Sequence, residues 1–140
     1  MRKTVSLLCI LCILISLSSC GLVGDQQYYC DVDEVESVQI VRLDEYVEGE
    51  YRYEYELLSE ISDVQTFISR LNKLKHSVNW GDPMPMYTGD VVIKIDYRNG
   101  DYDLLRSNAQ WFNRSGINNY GYFFFREEPF ESLISDYIAE

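Results

Sequence analysis

The chain has few of the side chains that enzyme and metal sites most often require. It contains one histidine, His76, and four cysteines among 140 residues. A serine or cysteine nucleophile is usually activated by a nearby histidine, and zinc needs three or four Cys, His or carboxylate ligands. The sequence also has no G-x-S-x-G segment, no calcium-loop pattern and no phosphate-binding loop. We therefore predict no catalytic triad, no metal site and no cofactor. His76 follows Lys73 and Lys75, so we expect a capping or solvated residue at a helix end.

Basic residues are also scarce. Twelve Lys and Arg stand against 23 Asp and Glu, a net charge of −11. The imbalance is steepest from Asp25 to Glu60, where twelve acids face Arg42 and Arg52. Such a charge disfavours polyanionic partners, and we predict no nucleic-acid binding.

Long apolar runs are limited to one segment near the start of the chain. Arg2 and Lys3 precede an uncharged run of thirteen residues, Val5 to Leu17. A helix of that length rises only about 20 Å, whereas a membrane span needs roughly 20 residues. The pattern predicts a signal peptide that is removed.

The end of that run, Leu17-Ser18-Ser19-Cys20, resembles the lipobox of bacterial lipoproteins. The resemblance implies cleavage before Cys20, lipidation of its thiol and a membrane anchor on the extracytoplasmic side. Residues 1–19 are then the signal peptide, 20–33 a lipid-anchored tether and 34–140 a single domain. Cys9 and Cys12 leave with the signal peptide, so Cys30 is alone and no intrachain disulfide forms. We expect Cys30 to be unreactive, because Asp31 and Asp33 oppose a thiolate.

Two segments of the first half predict a strand pair followed by a helix. "ESVQIVRL" is β-branched, and in "YRYEYELL" an apolar row alternates with a charged row. The apolar row consists of Tyr51, Tyr53, Tyr55 and Leu57. After a capping-box spacing from Ser62 to Gln65, apolar residues recur at helical intervals from Val64 to Leu74.

The second half repeats this plan. Asn99-Gly100 between "VVIKIDY" and "DYDLL" predicts a hairpin, with the acids near the turn solvated. "AQWF" and "YGYFFF" predict another strand pair, and a closing helix starts near Pro129 and runs to Ile138. The pattern predicts an α+β fold, a two-layer sandwich whose mainly antiparallel sheet carries two helices on one face. It resembles that of many small bacterial lipoproteins.

The tyrosines are the most informative functional signal. Tyrosine is favoured at recognition surfaces, and not every hydroxyl of the "YRYEYELL" row can be buried without a partner. The loop "NWGDPMPMYTGD" either folds back over the sheet edge or exposes further candidates. The candidate contact residues are Tyr51, Tyr53, Tyr55, Trp80 and Tyr87.

The sequence favours a non-enzymatic, lipid-anchored binding module of the bacterial envelope, whose partner is another envelope protein, a peptide or a cationic ligand. An accessory envelope hydrolase is the first alternative, with Glu54 and Glu56 as its carboxylate pair. That spacing is equally typical of the solvated face of a strand. A calcium-responsive acidic surface is the second alternative.

Replacing Cys20 with alanine tests the anchor. The variant lacks the thiol that accepts lipid, so we expect it to lose all label from a metabolic fatty-acid probe and to fail the lipoprotein-specific cleavage. A single acyl chain binds a membrane only marginally, whereas two chains bind it stably. The wild type should therefore stay with the membrane through high-salt washing. Equal labelling of both proteins contradicts the lipobox interpretation.

Overall fold

The structure is a computed structural model that describes residues 28–47, 52–77, 85–114, 117–121 and 124–138. A short 3-10 helix at Val32–Glu34 precedes the first strand. The strands and helices that follow, in chain order, are β1 (Val35–Val47), β2 (Arg52–Glu60), α1 (Val64–Leu71), β3 (His76–Ser77), β4 (Val91–Tyr97), β5 (Tyr102–Arg106), β6 (Ala109–Arg114), β7 (Ile117–Gly121), β8 (Phe124–Phe125) and α2 (Glu127–Ser135).

The strands form one large sheet and one small one. The large sheet has six described strands in the order β2-β1-β4-β5-β6-β7, and each neighbouring pair is antiparallel. β3 and β8 form a separate antiparallel pair. The protein is therefore an α+β fold built mainly on an antiparallel sheet, as the sequence predicts.

The expected hairpin at Asn99-Gly100 is confirmed. β4 and β5 pair on either side of this turn, with Asp96 opposite Tyr102. Gly100 has φ +89°, a conformation that a side chain would strain. The Asn99 side-chain oxygen accepts the backbone N–H of Asp101 at 3.0 Å, which adds a local bond to the turn.

The large sheet buries apolar side chains on both faces. Val92 and Ile93 are adjacent on β4 and fully buried, yet they belong to different core clusters. Because successive strand residues point to opposite faces, the two clusters lie on opposite sides of the sheet. The first cluster includes side chains of both helices, among them Phe67, Leu71, Phe130 and Leu133, packed with Ile40, Ile95 and Leu105. The second consists of Val41, Leu43, Met86, Val92, Leu104, Ala109 and Trp111.

The start of α1 differs from the expectation. Asp63, not Ser62, is the N-cap, and its carboxylate accepts the backbone N–H of Thr66 at 3.0 Å. A charged oxygen is the stronger acceptor for a free helical N–H, and it also favours the positive end of the helix dipole. This hydrogen bond lowers the pKa of Asp63.

The last third of the chain differs in its boundaries. The predicted strand "YGYFFF" is divided between β7, which begins earlier at Ile117, and β8, which pairs with β3 instead. The closing helix begins two residues before Pro129. Proline fits there because the N–H groups of the first turn have no helical acceptor. The helix ends at Ser135, before the expected Ile138.

Truncating the buried side of α2 should destabilise the fold. Phe130 is fully buried and Leu133 is 2% exposed. We expect Phe130→Ala and Leu133→Ala each to lower the free energy of unfolding by about 2–5 kcal/mol, the usual cost of such a cavity. Glu131→Ala, on the exposed side, should change it little. Denaturant midpoints that are equal for all three variants would show that α2 is not packed as described.

Candidate functional site

The outer strand β2 carries a row of apolar and aromatic side chains on the side of the second cluster. Tyr55 pairs with Leu43, and Leu57 pairs with Val41. Directly paired residues project from the same face, and Leu43 and Val41 belong to the second cluster. We name this surface the tyrosine face and define it as Tyr46, Tyr53, Tyr55, Leu57 and Tyr87.

The tyrosine face is exposed to solvent although it lies over a buried cluster. Tyr55 is 44% exposed, Leu57 50% and Tyr87 55%. Tyr46 is exposed as well, whereas the ring of Tyr53 is half-buried. Large aromatic and aliphatic side chains concentrated on one surface are characteristic of contact sites rather than of a solvated sheet face.

A cleft of about 400 Å³ opens at one end of the tyrosine face. Tyr46, Tyr53, Met86, Tyr87 and Thr88 line it. The Tyr53 hydroxyl donates to the carbonyl oxygen of Met86 at 3.1 Å, and the rings of Tyr46 and Tyr53 lie 5.1 Å apart. This hydrogen bond ties β2 to the segment before β4 and orients the cleft wall.

Tyr53 also meets Trp111, on β6, with ring centroids 6.4 Å apart. β2 and β6 are four strand positions apart, which corresponds to roughly 19 Å in a flat sheet. The two rings must therefore reach toward each other across the strands between them. The two rings cover the second cluster, so Val41 and Val92 are fully buried on the face of the sheet opposite the helices.

One cation already occupies part of this surface. The Lys94 ammonium lies 5.2 Å from the centre of the Tyr55 ring and 5.9 Å from that of Tyr102. It also forms an ion pair with Asp96. Tyrosine rings attract cations through their negative faces. The surface is therefore suited to ammonium groups as well as to apolar side chains.

The structure brings part of the predicted contact set together. Tyr53 and Tyr87 line the same cleft, and Tyr55 lies two residues along β2 on the same face. Tyr51 and Trp80, together with the lipidation candidate Cys20, lie outside the described residues. Sequence reasoning missed Tyr46, Lys94 and Trp111, which reach this surface through strand pairing.

A second group of polar side chains surrounds a buried carboxylate on the opposite side of the sheet. Asp103 on β5 is fully buried. It accepts hydrogen bonds from the hydroxyls of Tyr28 at 2.8 Å and Tyr97 at 2.7 Å, and Arg114 donates to both carboxylate oxygens. Arg114 donates to the Tyr97 hydroxyl at 2.9 Å as well. We name these four residues the Asp103 cluster.

The electrostatics of the Asp103 cluster favour a structural role. Burial and the neighbouring Asp103 charge raise the pKa of Tyr28 and of Tyr97, so both phenols stay protonated and donate. The hydrogen bond to Asp103 raises the pKa of Arg114. A general acid or base must exchange protons near neutral pH, and these shifts move the three pKa values further above that range.

The Asp103 cluster corrects the expectation that the acids near the Asn99-Gly100 turn are solvated. Asp103 alternates with Tyr102 and Leu104, whose side chains face the second cluster. It therefore points toward the helices, where a charge needs partners. Its partners come from distant parts of the chain, and local composition does not reveal them.

The chain before β1 is fixed to the body at several points. Tyr28 and Cys30, which we expected in the tether, are buried in the first cluster. The Cys30 N–H donates to the Asn72 side chain at 2.9 Å, and the Asn72 amide donates to the Cys30 carbonyl at 2.8 Å. Burial raises the pKa of the Cys30 thiol, which agrees with an unreactive residue.

His76 does not cap a helix. It lies in β3, opposite Phe125 of β8, and its Nε2 atom accepts the backbone N–H of Tyr28 at 3.1 Å. Burial lowers the pKa of His76. The neutral ring is the form that can accept this hydrogen bond, so His76 holds the segment before β1 in place.

A larger cleft, of about 480 Å³, lies beside the start of α2. Glu127 and Glu128 are among the residues that line it. Partial burial and the Glu127 carboxylate raise the pKa of Glu131, one turn further along the helix. Glu131 does not line the cleft, however, so the carboxyl group whose pKa is raised is not among those that line it.

The other carboxylate candidates show ordinary surface geometry. Glu56 forms a 2.7 Å ion pair with Arg42 on the neighbouring strand, and both side chains are about half exposed. In the part of the chain that the structure describes, no group of three or more His, Cys, Asp and Glu side chains is arranged to hold a metal ion. The described helices include none with the length and hydropathy of a membrane span.

Removing the buried charge of Asp103 should destabilise the protein. Asp103→Asn leaves two tyrosines and Arg114 competing for a neutral acceptor. Arg114 keeps access to water, since its side chain is 44% exposed. We expect a loss of about 2–4 kcal/mol in the free energy of unfolding, between the cost of one charged hydrogen bond and that of a broken buried pair. Urea denaturation measures it, with exposed Glu54→Gln as the control, and similar values for both variants contradict the described role.

His76 should make stability depend on pH. Its lowered pKa means that the unfolded chain binds the proton more readily than the folded protein, so stability is lost as pH falls below the usual value of 6.5. His76→Gln can keep an acceptor for Tyr28 without titrating. We expect the difference in melting temperature between about pH 7 and pH 5.5 to be smaller in this variant than in the wild type. Identical differences would contradict the described role of His76.

Comparisons with known proteins provide no relative for this chain. No protein-family model matches it, and neither the curated proteins nor the solved structures contain a significant match. Its function must therefore be inferred from the side chains described above and from the sequence pattern.

Proposed function

We propose that the protein is a lipid-anchored binding module on the extracytoplasmic side of a bacterial membrane, and that its tyrosine face holds another envelope protein or a peptide. The observation that carries the proposal is the concentration of exposed Tyr46, Tyr55, Leu57 and Tyr87 on one surface. Tyrosine provides a large contact area at a small cost in conformational entropy.

In this proposal the two faces of the sheet have different roles, one in stability and one in binding. We place both helices in one layer over the first cluster, which makes the domain a two-layer sandwich and leaves the tyrosine face uncovered by helices. The first cluster and the Asp103 cluster then stabilise the domain. The tyrosine face adds exposed apolar surface that folding does not need, and a partner would remove that surface from water.

The anchor, where the Leu17-Ser18-Ser19-Cys20 resemblance places it, keeps the domain close to the membrane. Tyr28 is buried in the core, and eight peptide steps separate it from Cys20. Eight residues span at most about 26–29 Å. The partner is therefore expected among proteins that are themselves at the membrane surface.

The hydrolase alternative has weaker support. It requires two carboxylates that converge in a cleft with different pKa values. Glu127 lines the larger cleft and Glu131 has a raised pKa, but Glu131 lies outside the lining. The calcium alternative requires several oxygen ligands around one point, whereas the acids of β2 lie along a strand.

Variants of the tyrosine face test the proposal. Wild type, Tyr55→Ser and Tyr87→Ser are expressed in the native membrane, captured after mild solubilisation, and the co-purifying proteins are quantified. Truncation of a central contact tyrosine costs about 2 kcal/mol or more, so recovery of a specific partner should fall at least about tenfold. The free energy of unfolding should stay near the wild-type value, since both side chains are exposed.

Tyr29→Ser is the matched control. Tyr29 is 69% exposed and lines a different cleft, together with Gln65 of α1 and Asn72. Recovery of the partner should be unchanged in this variant. Equal recovery from all four proteins, or equal loss in all three variants, would contradict a contact site on the tyrosine face.

A further inference from the structure

The free edge of β2 offers backbone groups as well as side chains to a partner. β2 is the first strand in the order of the large sheet, and within the described ranges it pairs with β1. Among the described residues, no other strand pairs with its outer edge. Unpaired N–H and C=O groups on an edge strand are a template for an added strand.

The middle of β2 has the regular geometry that strand addition needs. Register shifts in its pairing with β1 lie between Ile40 and Val41 and between Leu43 and Tyr46. Between these shifts, Leu57, Glu56 and Tyr55 pair with three successive residues of β1 without interruption. The backbone of this segment is therefore extended, and alternate residues direct their N–H and C=O groups to the outer edge.

The two faces of β2 specify different side chains in an added strand. Tyr55 and Leu57 are exposed on the tyrosine face, whereas Glu54 and Glu56 are exposed between these positions, on the other face. The hairpin from Val35 to Glu60 contains eight acids and two bases, a charge of −6. Opposite charges across neighbouring strands stabilise the pair. A complementary strand therefore alternates apolar and basic residues.

Lys94, on β4, already supplies a positive charge on the tyrosine face, so the added strand brings its basic residues to the opposite face, beside Glu54 and Glu56. The Lys94 ammonium lies between the rings of Tyr55 and Tyr102 and beside the Asp96 carboxylate. A second copy of the chain fits less well, because antiparallel pairing of β2 with itself around Glu54 to Glu56 brings carboxylates of the two copies together.

We infer that the β2 edge binds an extended segment of alternating basic and apolar residues by strand addition, with the apolar residues on the tyrosine face. This inference rests on the proposed function and specifies its ligand class. Backbone hydrogen bonds supply part of the affinity, and the alternating side chains supply the specificity.

The test uses the full chain in detergent micelles and fluorescent nine-residue peptides of alternating lysine and valine. Two matched peptides carry N-methyl groups, one on the lysine amides and one on the valine amides. In a strand, alternate amides point to the same side, so one set faces β2 and the other faces solvent. We expect one methylated peptide to bind at least about tenfold more weakly than its parent and the other to bind within about threefold.

Charge-reversal variants test whether the acidic side chains of β2 select a basic peptide. Glu54→Lys should weaken binding of the unmethylated peptide at least about tenfold, whereas Glu128→Lys, on an exposed position of α2, should leave it unchanged. A peptide with glutamate in place of lysine should not bind. Loss of charge complementarity reduces affinity without any change in the fold.

Three outcomes overturn strand addition. The methylated peptides could behave alike, the lysine and glutamate peptides could bind equally, or no peptide could bind while sedimentation shows a concentration-dependent dimer through β2. Failure here is separable from failure of the proposed function. If Tyr55→Ser lowers the recovery of a native partner while no basic peptide binds, the tyrosine face remains a contact site, and its ligand is not an added basic strand.

Discussion

β1 is paired on both of its edges and buried on both of its faces, and the rest of the structure is arranged around this strand. It spans thirteen residues and holds β2 on one side and β4 on the other. Val38 and Ile40 point into the first cluster, whereas Val41 and Leu43 point into the second. A strand buried on both faces needs cover on both. The helices supply side chains to one cluster, and Tyr53, Met86 and Trp111 cover the other.

The two faces of the large sheet are covered in different ways, and this difference affects which face can bind a partner. Helix side chains such as Phe67 and Phe130 are fully buried, so the helices cover the centre of the first cluster. The second cluster is covered by aromatic rings and a short segment, and its outer surface retains large exposed side chains. The proposed binding role follows from this asymmetry, because four of the five large exposed hydrophobic side chains in the described residues lie on the tyrosine face. The Asp103 cluster belongs to the opposite side and connects β4, β5, β6 and the segment before β1.

Much of the architecture could be predicted from local patterns. The alternation in "YRYEYELL", the Asn99-Gly100 turn and the helical spacing of Phe67, Ile68 and Leu71 each reflect a local rule, and the structure follows them. Features that depend on distant pairing could not be predicted in this way. In the sequence, β8 continues the aromatic run "YGYFFF". Its pairing with His76–Ser77 places it in a separate sheet, and no local pattern indicates this pairing.

The same distinction applies to the candidate sites. Tyr53 and Tyr55 could be selected because their alternation reveals a shared face, but their proximity to Trp111 and Lys94 depends on the order of the strands. Asp103 looked like a turn acid because it lies only three residues after Gly100 of the predicted turn. Its donors, Tyr28 and Arg114, lie 75 and 11 residues away along the chain. Long-range donors of this kind leave no local signature.

Photo-crosslinking in the native membrane tests the central claim most directly. A benzophenone amino acid is incorporated in place of Tyr55 in one protein and in place of Tyr29 in another, where Tyr29 is the more exposed of the two, 69% against 44%, and shares a cleft with residues of α1. If the tyrosine face is the contact surface, irradiation should give a discrete adduct from position 55 and none of comparable yield from position 29. Adducts from position 29 alone, or no discrete adduct from either position, would contradict the assignment of binding to this face.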